Sequence, residues 1–136
     1  MKRGQASMEF LVIVGFVFLM IIPLVIIFLE QSAYVKDAIS QNHIRNIAVK
    51  LTDKAETVYY LGGSSKTTIK ALFPKGIEDV NLTGKSITFW FRNSENNLRS
   101  ITSVCAINIT GNISVKPGVH LIQIESAGDS ALLKEI

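Results

Sequence analysis

The pattern of apolar and polar residues divides the chain into three parts, and the first is an apolar run near the N-terminus. Residues 10–29 are twenty consecutive apolar or small residues. Twenty helical residues span about 30 Å, the thickness of a bilayer core, whereas the apolar part of a cleavable secretory signal has only ~7–15 residues. The run therefore predicts a membrane-spanning helix. Pro23 predicts a local helix kink, because it lacks an amide hydrogen and its ring crowds the preceding turn.

A helical pattern continues beyond the apolar run. No glycine or proline occurs between Glu30 and Tyr60, and apolar side chains recur at steps of three and four residues. These side chains are Val35, Ala38, Ile39, Ile44, Ile47, Ala48, Leu51, Ala55, Val58 and Tyr59. Gly62 and Gly63 predict the end of the helix. We expect one helix over 5–61, with an apolar part (10–29) and an amphipathic part (30–61) whose C-terminal half packs on its own domain.

The third part, residues 65–136, has the alternating pattern and turn residues of a β domain. Strands are predicted over 67–73, 80–82, 86–92, 99–109, 119–125 and 131–134. The strand over 99–109 is predicted to be broken. The predicted turns include Gly84 and Gly111-Asn112. Alternation predicts that Ile87, Phe89 and Phe91 face the helix. It places Trp90 on the opposite face, either under a second β layer or at a contact with another molecule.

Together these patterns predict an α+β fold, in which a small antiparallel β-sheet or sandwich packs on a long N-terminal helix. A β region of about seventy residues has a thin core by itself, so the helical stripe must supply the other half.

Composition and charge narrow the class of protein. The formal net charge is +3, and two of the positive charges are Lys2 and Arg3. The remaining basic residues are scattered, and this excludes the clustered basic face of a nucleic-acid binder. Lys2 and Arg3 precede the apolar run and Glu30 follows it, so the positive-inside rule places the N-terminus in the cytoplasm and the β domain outside the cell.

Glu9 is the anomalous residue of the N-terminal segment. It stands at the edge of the apolar run, where an unpaired carboxylate is costly at membrane depth. Two interpretations are open: the carboxylate reaches the lipid headgroups, or it meets a cation that another chain supplies.

The residues around Glu9 resemble the processing motif of archaeal type IV pilins of the adhesion type, which carry a class III signal peptide. A basic leader ending in glycine precedes Gln-x-Ser-x-Glu and a long apolar run, in the order Lys2-Arg3-Gly4-Gln5-Ala6-Ser7-Met8-Glu9. The resemblance implies that a prepilin peptidase cuts between Gly4 and Gln5 and removes leader 1–4. It also implies that Glu9, fifth in the mature chain, neutralises the terminal amine of a neighbouring subunit.

The same resemblance implies partners and a location. The precursor is expected in the cell membrane as a single-pass protein. An assembly platform and an ATPase are expected to build it into a homopolymeric extracellular filament that serves adhesion. The alternative is a signal-anchored or minor pilin-like surface protein that binds a solute or partner and does not polymerise alone.

Three Asn-x-Ser/Thr triplets begin at Asn81, Asn108 and Asn112, all in the region predicted to be outside the cell. They are candidate N-glycosylation sites, although about one such triplet is expected by chance in a chain with this many acceptor residues. Ile107 and Ile109 are expected to point inward, which leaves Asn108 accessible.

No pattern of catalytic, metal-binding or cofactor-binding residues stands out. His43 and His120 are far apart in sequence and lack the spacing of metal ligands. Cys105 is the single cysteine and lies in an apolar run, which is typical of a small buried side chain. We expect neither an enzyme nor a cofactor-binding protein.

Overall fold

The computed structural model describes the backbone from Lys2 to Ile136 and the side chains from Ser7 onward. Its one long helix, α1, is Lys2–Leu61 and includes Pro23. Gly62 and Gly63 follow with φ of 65° and 62°, in the left-handed region that favours glycine, and this ends the helix as the sequence predicts. The chain divides into two compact units, one ending at Lys36 and the other comprising Asp37–Ile136.

Seven strands occupy the C-terminal unit. They are β1 (Lys66–Phe73), β2 (Ile77–Thr83), β3 (Ser86–Arg92), β4 (Leu98–Val104), β5 (Asn108–Asn112), β6 (Gly118–Ala127) and β7 (Ser130–Glu135). The predicted strand over 99–109 is broken into β4 and β5, because Cys105, Ala106 and Ile107 leave the extended ladder between them. The α+β fold class is confirmed.

The strands form two sheets, with the orders β1-β6-β7-β5 and β2-β3-β4. The sequence predicted an antiparallel arrangement, but β5 pairs with β7 in parallel. The β6–β7 hairpin explains the parallel pair. One edge of β6 pairs with β1 and the other with β7, so the remaining edge of β7 is open to β5. β5 lies along that edge in the same direction as β7. Every other strand pair is antiparallel.

The predicted turn at Gly111-Asn112 is wrong, because both residues belong to β5. Gly111 has φ of 145°, and a Cβ atom there would lie 2.0 Å from the carbonyl oxygen of Leu133. The glycine therefore permits the close approach of the β5 and β7 backbones rather than a reversal of the chain.

One hydrophobic core joins the helix to both sheets within the C-terminal unit. Its helical members are Ile44, Ile47, Ala48, Leu51, Ala55 and Val58. Ile87 and Phe89 are fully buried and Phe91 is 3% exposed, so the predicted inward face of β3 is confirmed. Val35 and Ile39, at the N-terminal end of the stripe, are exposed. Only the C-terminal half of the stripe packs on this domain, as the sequence predicts.

Candidate functional site

The first candidate site is the apolar segment of the N-terminal unit. Its large apolar side chains from Met8 to Leu29 are exposed, apart from the half-buried Val14. The described residues contain one helix that is long and apolar enough to cross a membrane. A helix that is apolar on every side requires a nonaqueous environment, which either lipid or other apolar helices provide.

Glu9 is exposed within this segment, beside Met8, Val12 and Ile13. From Ser7 to Val35 the sequence contains no lysine, arginine or histidine. Among the side chains that the structure describes, none forms an ion pair with Glu9. Between Ser7 and Val35 the helix therefore carries the Glu9 carboxylate but no basic side chain to neutralise it.

The predicted leader and the predicted cleavage site lie at the start of the helix. The backbone of Lys2, Arg3, Gly4 and Gln5 is helical, but their side chains lie outside the described residues. Pro23 lies further along the same helix, which is assigned as continuous on both sides of it.

All three candidate glycosylation sites are exposed asparagines of the C-terminal unit. Asn81 lies in β2, and its side-chain oxygen accepts a hydrogen bond from the hydroxyl of Thr83. Asn108 and Asn112 lie at the two ends of β5. Ile107 and Ile109 are 5% and 0% exposed, which confirms the predicted outward position of Asn108. The three asparagines occupy two different sheets.

Trp90 lies on the outer face of the sheet β2-β3-β4 and is 38% exposed. Its cross-strand neighbours are Asp79 in β2 and Ser100 in β4. The indole is partly open to solvent, and no second β layer of the described residues encloses it, so the first interpretation of this residue is wrong. A contact of Trp90 with another molecule stays a prediction.

Cys105 is a buried thiol, as the sequence predicts. It lies 3.9 Å from the backbone oxygen of Thr52, to which it donates a weak hydrogen bond. Burial raises the pKa of the Cys105 thiol, and the nearby carboxylate of Glu56 acts in the same direction. A neutral, buried thiol is a poor nucleophile, so Cys105 acts as a core residue.

The two histidines contact different residues of β1, both near its C-terminal end. Nε2 of His43 donates to the carbonyl oxygen of Leu72 at 2.7 Å, beside a groove of about 270 Å³ between the helix and β1. His120 is buried against the ring of Phe73, with ring centroids 4.4 Å apart. Over the described residues, no group of three histidine, cysteine or acidic side chains is placed to hold a metal ion.

Glu135 is a polar contact that the sequence did not predict. One carboxylate oxygen lies 2.6 Å from Nδ1 of His120, and the other accepts a hydrogen bond from the Ser114 amide at 2.9 Å. The second ring nitrogen of His120 lies 2.6 Å from the carbonyl oxygen of Lys116. These contacts fasten β7 and the segment before β6 to a buried ring. No local sequence pattern identifies them, because the partners come together only when β6 and β7 pair.

Glu135 provides a prediction about acid stability. The hydrogen bond from the Ser114 amide is the largest cause that lowers the pKa of Glu135, and His120 acts in the same direction. A carboxyl group with a lowered pKa in the folded state stabilises the fold above its unfolded pKa, and this contribution is lost as the pH falls through the folded pKa. Glu135→Gln should therefore cost on the order of 1 kcal/mol at neutral pH and progressively less below pH ~4.5.

Chemical unfolding at a series of pH values measures this difference. Glu125→Gln is the matched control, since Glu125 pairs with the exposed Lys66 at 2.8 Å and a surface pair contributes only ~0–1 kcal/mol. If Glu135→Gln lowers the free energy of unfolding by the same amount at neutral and at acidic pH, the Glu135 carboxylate does not stabilise the fold through its charge.

Comparisons with protein families, with curated proteins and with solved structures returned no match to this chain. The functional assignment consequently rests on the chain's own residues.

Proposed function

We propose that the protein is a structural subunit of a type IV pilus-like surface filament with a role in adhesion, and not an enzyme. The observation that carries the proposal is an exposed apolar helical segment that contains Glu9, in a stretch without any basic residue from Ser7 to Val35. A lipid anchor needs the apolar surface but has no use for the carboxylate. A bundle of identical processed helices uses both, because each Glu9 meets the terminal amine of another chain.

In the proposed mechanism, a prepilin peptidase cuts between Gly4 and Gln5 on the cytoplasmic side of the membrane. Cleavage removes Lys2 and Arg3 and creates a terminal amine only four residues before Glu9. An assembly platform and its ATPase then withdraw the helix from the bilayer into a growing filament. Apolar helix packing supplies the cohesion, and Glu9 favours one axial register because a mis-stacked helix leaves the charge unpaired.

The β domain forms the exterior of the proposed filament. Its core contacts with the second half of α1 are internal to the C-terminal unit. We place it outside the cell, with the precursor N-terminus in the cytoplasm. The scattered basic residues give no basis for nucleic-acid binding.

Processing is tested by mass spectrometry of the mature N-terminus. We expect a chain that begins at Gln5, and a chain that retains Met1 or Lys2 overturns the pilin proposal. The same spectrum shows whether Gln5 has cyclised with loss of ammonia. Cyclisation removes the positive charge that Glu9 is proposed to meet, so we expect an uncyclised terminus in filaments.

The state of the protein outside the cell separates filament subunits from signal-anchored surface proteins. Sheared filaments that consist of this chain support the structural role. Single membrane-bound chains, with no filaments under any condition of growth, support the alternative of a surface binding protein.

A further inference from the structure

The outer face of the sheet β2-β3-β4 carries one aromatic ring, and small polar side chains lie directly beside it. Phe89 and Phe91 point into the core from β3, so Trp90 between them points outward. Asp79 and Ser100 lie directly opposite Trp90 on the two flanking strands. The indole is the one aromatic group of this face, and more than a third of it remains open to solvent. Leu98 and Val104 of β4 are exposed on the same face, opposite Arg92 and Ser86 of β3.

Asn81 belongs to the same face. It is paired with Thr88, two residues before Trp90 on β3, while Trp90 is paired with Asp79. Asn81 and Trp90 are thus diagonal cross-strand neighbours, a relation that places residues about 7–8 Å apart and within reach of an aromatic side chain. The hydroxyl groups of Thr88 and Thr102 are hydrogen-bonded to each other at 3.0 Å, and this contact lies beside Asn81 and Trp90.

The acceptor triplet of Asn81 is also arranged on this face. Asn81 and Thr83 are both exposed, and the Thr83 hydroxyl donates to the side-chain oxygen of Asn81. This contact leaves the amide nitrogen of Asn81 available for substitution. Asn108 and Asn112 differ, because their cross-strand partners are Ser130 and Lys134 and neither offers an aromatic surface.

We propose that Asn81 carries an N-linked saccharide whose first sugar ring lies on the indole of Trp90. The inference rests on the exterior location of the β domain in the proposed function. One face of a pyranose presents C–H groups, which pack against an aromatic face, while its hydroxyl groups remain free to bond with Asp79, Ser100 and water. The sugar covers the exposed part of the indole and removes it from water.

The linkage forms by transfer from a polyprenyl-phosphate-linked saccharide. A bond forms between the amide nitrogen of Asn81 and the anomeric carbon of the sugar. The bond between that carbon and the donor's phosphate oxygen breaks, and the lipid phosphate leaves with its electron pair. The amide nitrogen loses one proton, so no oxidant or reductant is required.

The test uses full-length protein purified from cells that export it, and two readouts. Peptide mass spectrometry measures occupancy of Asn81. Acrylamide quenching measures how exposed the indole is, and Trp90 is the only tryptophan in the chain, so the whole signal comes from it. Asn81→Gln and Thr83→Ala both remove the acceptor triplet. Asn112→Gln removes a triplet with no aromatic neighbour, and Thr83→Ser retains the triplet at Asn81.

We expect a saccharide on Asn81 in the unaltered protein and in the Thr83→Ser variant. The quenching constant should rise roughly twofold in Asn81→Gln and Thr83→Ala, because the indole loses the ring that covers it. It should not change in Asn112→Gln. An unmodified Asn81 in exported protein overturns the proposal, and so does a modified Asn81 whose loss leaves the quenching constant unchanged. The N-terminal peptide from the same digest reports processing at Gly4, so failure of the pilin assignment is recognised separately.

Discussion

Replacement of Glu9 by alanine or leucine is expected to abolish filaments while the precursor still inserts into the membrane. Both substitutions make the apolar segment more apolar, so membrane insertion is favoured. Both remove the one acidic group that can meet a terminal amine in a neighbouring helix. Without it, apolar packing alone does not penalise helices that are shifted along one another. We expect at least a tenfold loss of sheared filament protein.

Glu30→Ala is the matched control for this experiment, since Glu30 is the carboxylate at the other end of the apolar run. It should leave filament yield close to that of the unaltered chain. Membrane fractionation and the N-terminal mass spectrum confirm that each variant is inserted and processed. Normal filaments from both Glu9 variants would falsify the register role, whereas loss of filaments from the Glu30 variant as well indicates a general sensitivity to charge.

Leu51→Ala is expected to destabilise the C-terminal unit by about 2–5 kcal/mol, the range for a buried leucine whose removal leaves a cavity. Leu51 is fully buried in the core that the helix shares with both sheets. A loss of this size is a large fraction of the ~5–15 kcal/mol that stabilises an ordinary domain. It is measured by chemical unfolding of the full chain in detergent, monitored through the fluorescence of Trp90.

Ile39→Ala is the control on the same helix, because Ile39 is 64% exposed. Its effect on the detergent-solubilised chain should lie within about 0.5 kcal/mol, as for most surface substitutions. Equal effects of the two variants contradict the assignment of the buried helical face. If Ile39→Ala lowers filament yield without lowering stability, this part of the stripe contacts other subunits.

The helix and most strands were predictable because each has a local cause. The helix is specified by a run of twenty apolar or small residues, by the absence of glycine and proline from Glu30 to Tyr60, and by the Gly62-Gly63 pair that ends it. Alternation in 86–92 specifies which side chains of β3 are buried. These features depend on the period of the secondary structure and not on the identity of distant partners.

Strand order and the polar contacts were not predictable in this way. Gly111 looks like a turn residue in sequence, but its conformation serves the close approach of Leu133 on a parallel neighbour. Glu135 has no pattern that marks it as the partner of His120, because the pairing of β6 with β7 brings them together. Such contacts depend on which strand lies beside which, and a short sequence window does not contain that information.

The sequence by itself determined that this chain has an apolar helix able to span a membrane, a carboxylate at its edge and a β domain after it, because hydrophobic period and charge are local properties. Only the tertiary structure decided that β5 and β7 are parallel, that Glu135 contacts His120, and that Asn81 and Trp90 share one face. Those facts follow from strand order and register, which bring together residues that are distant in the chain.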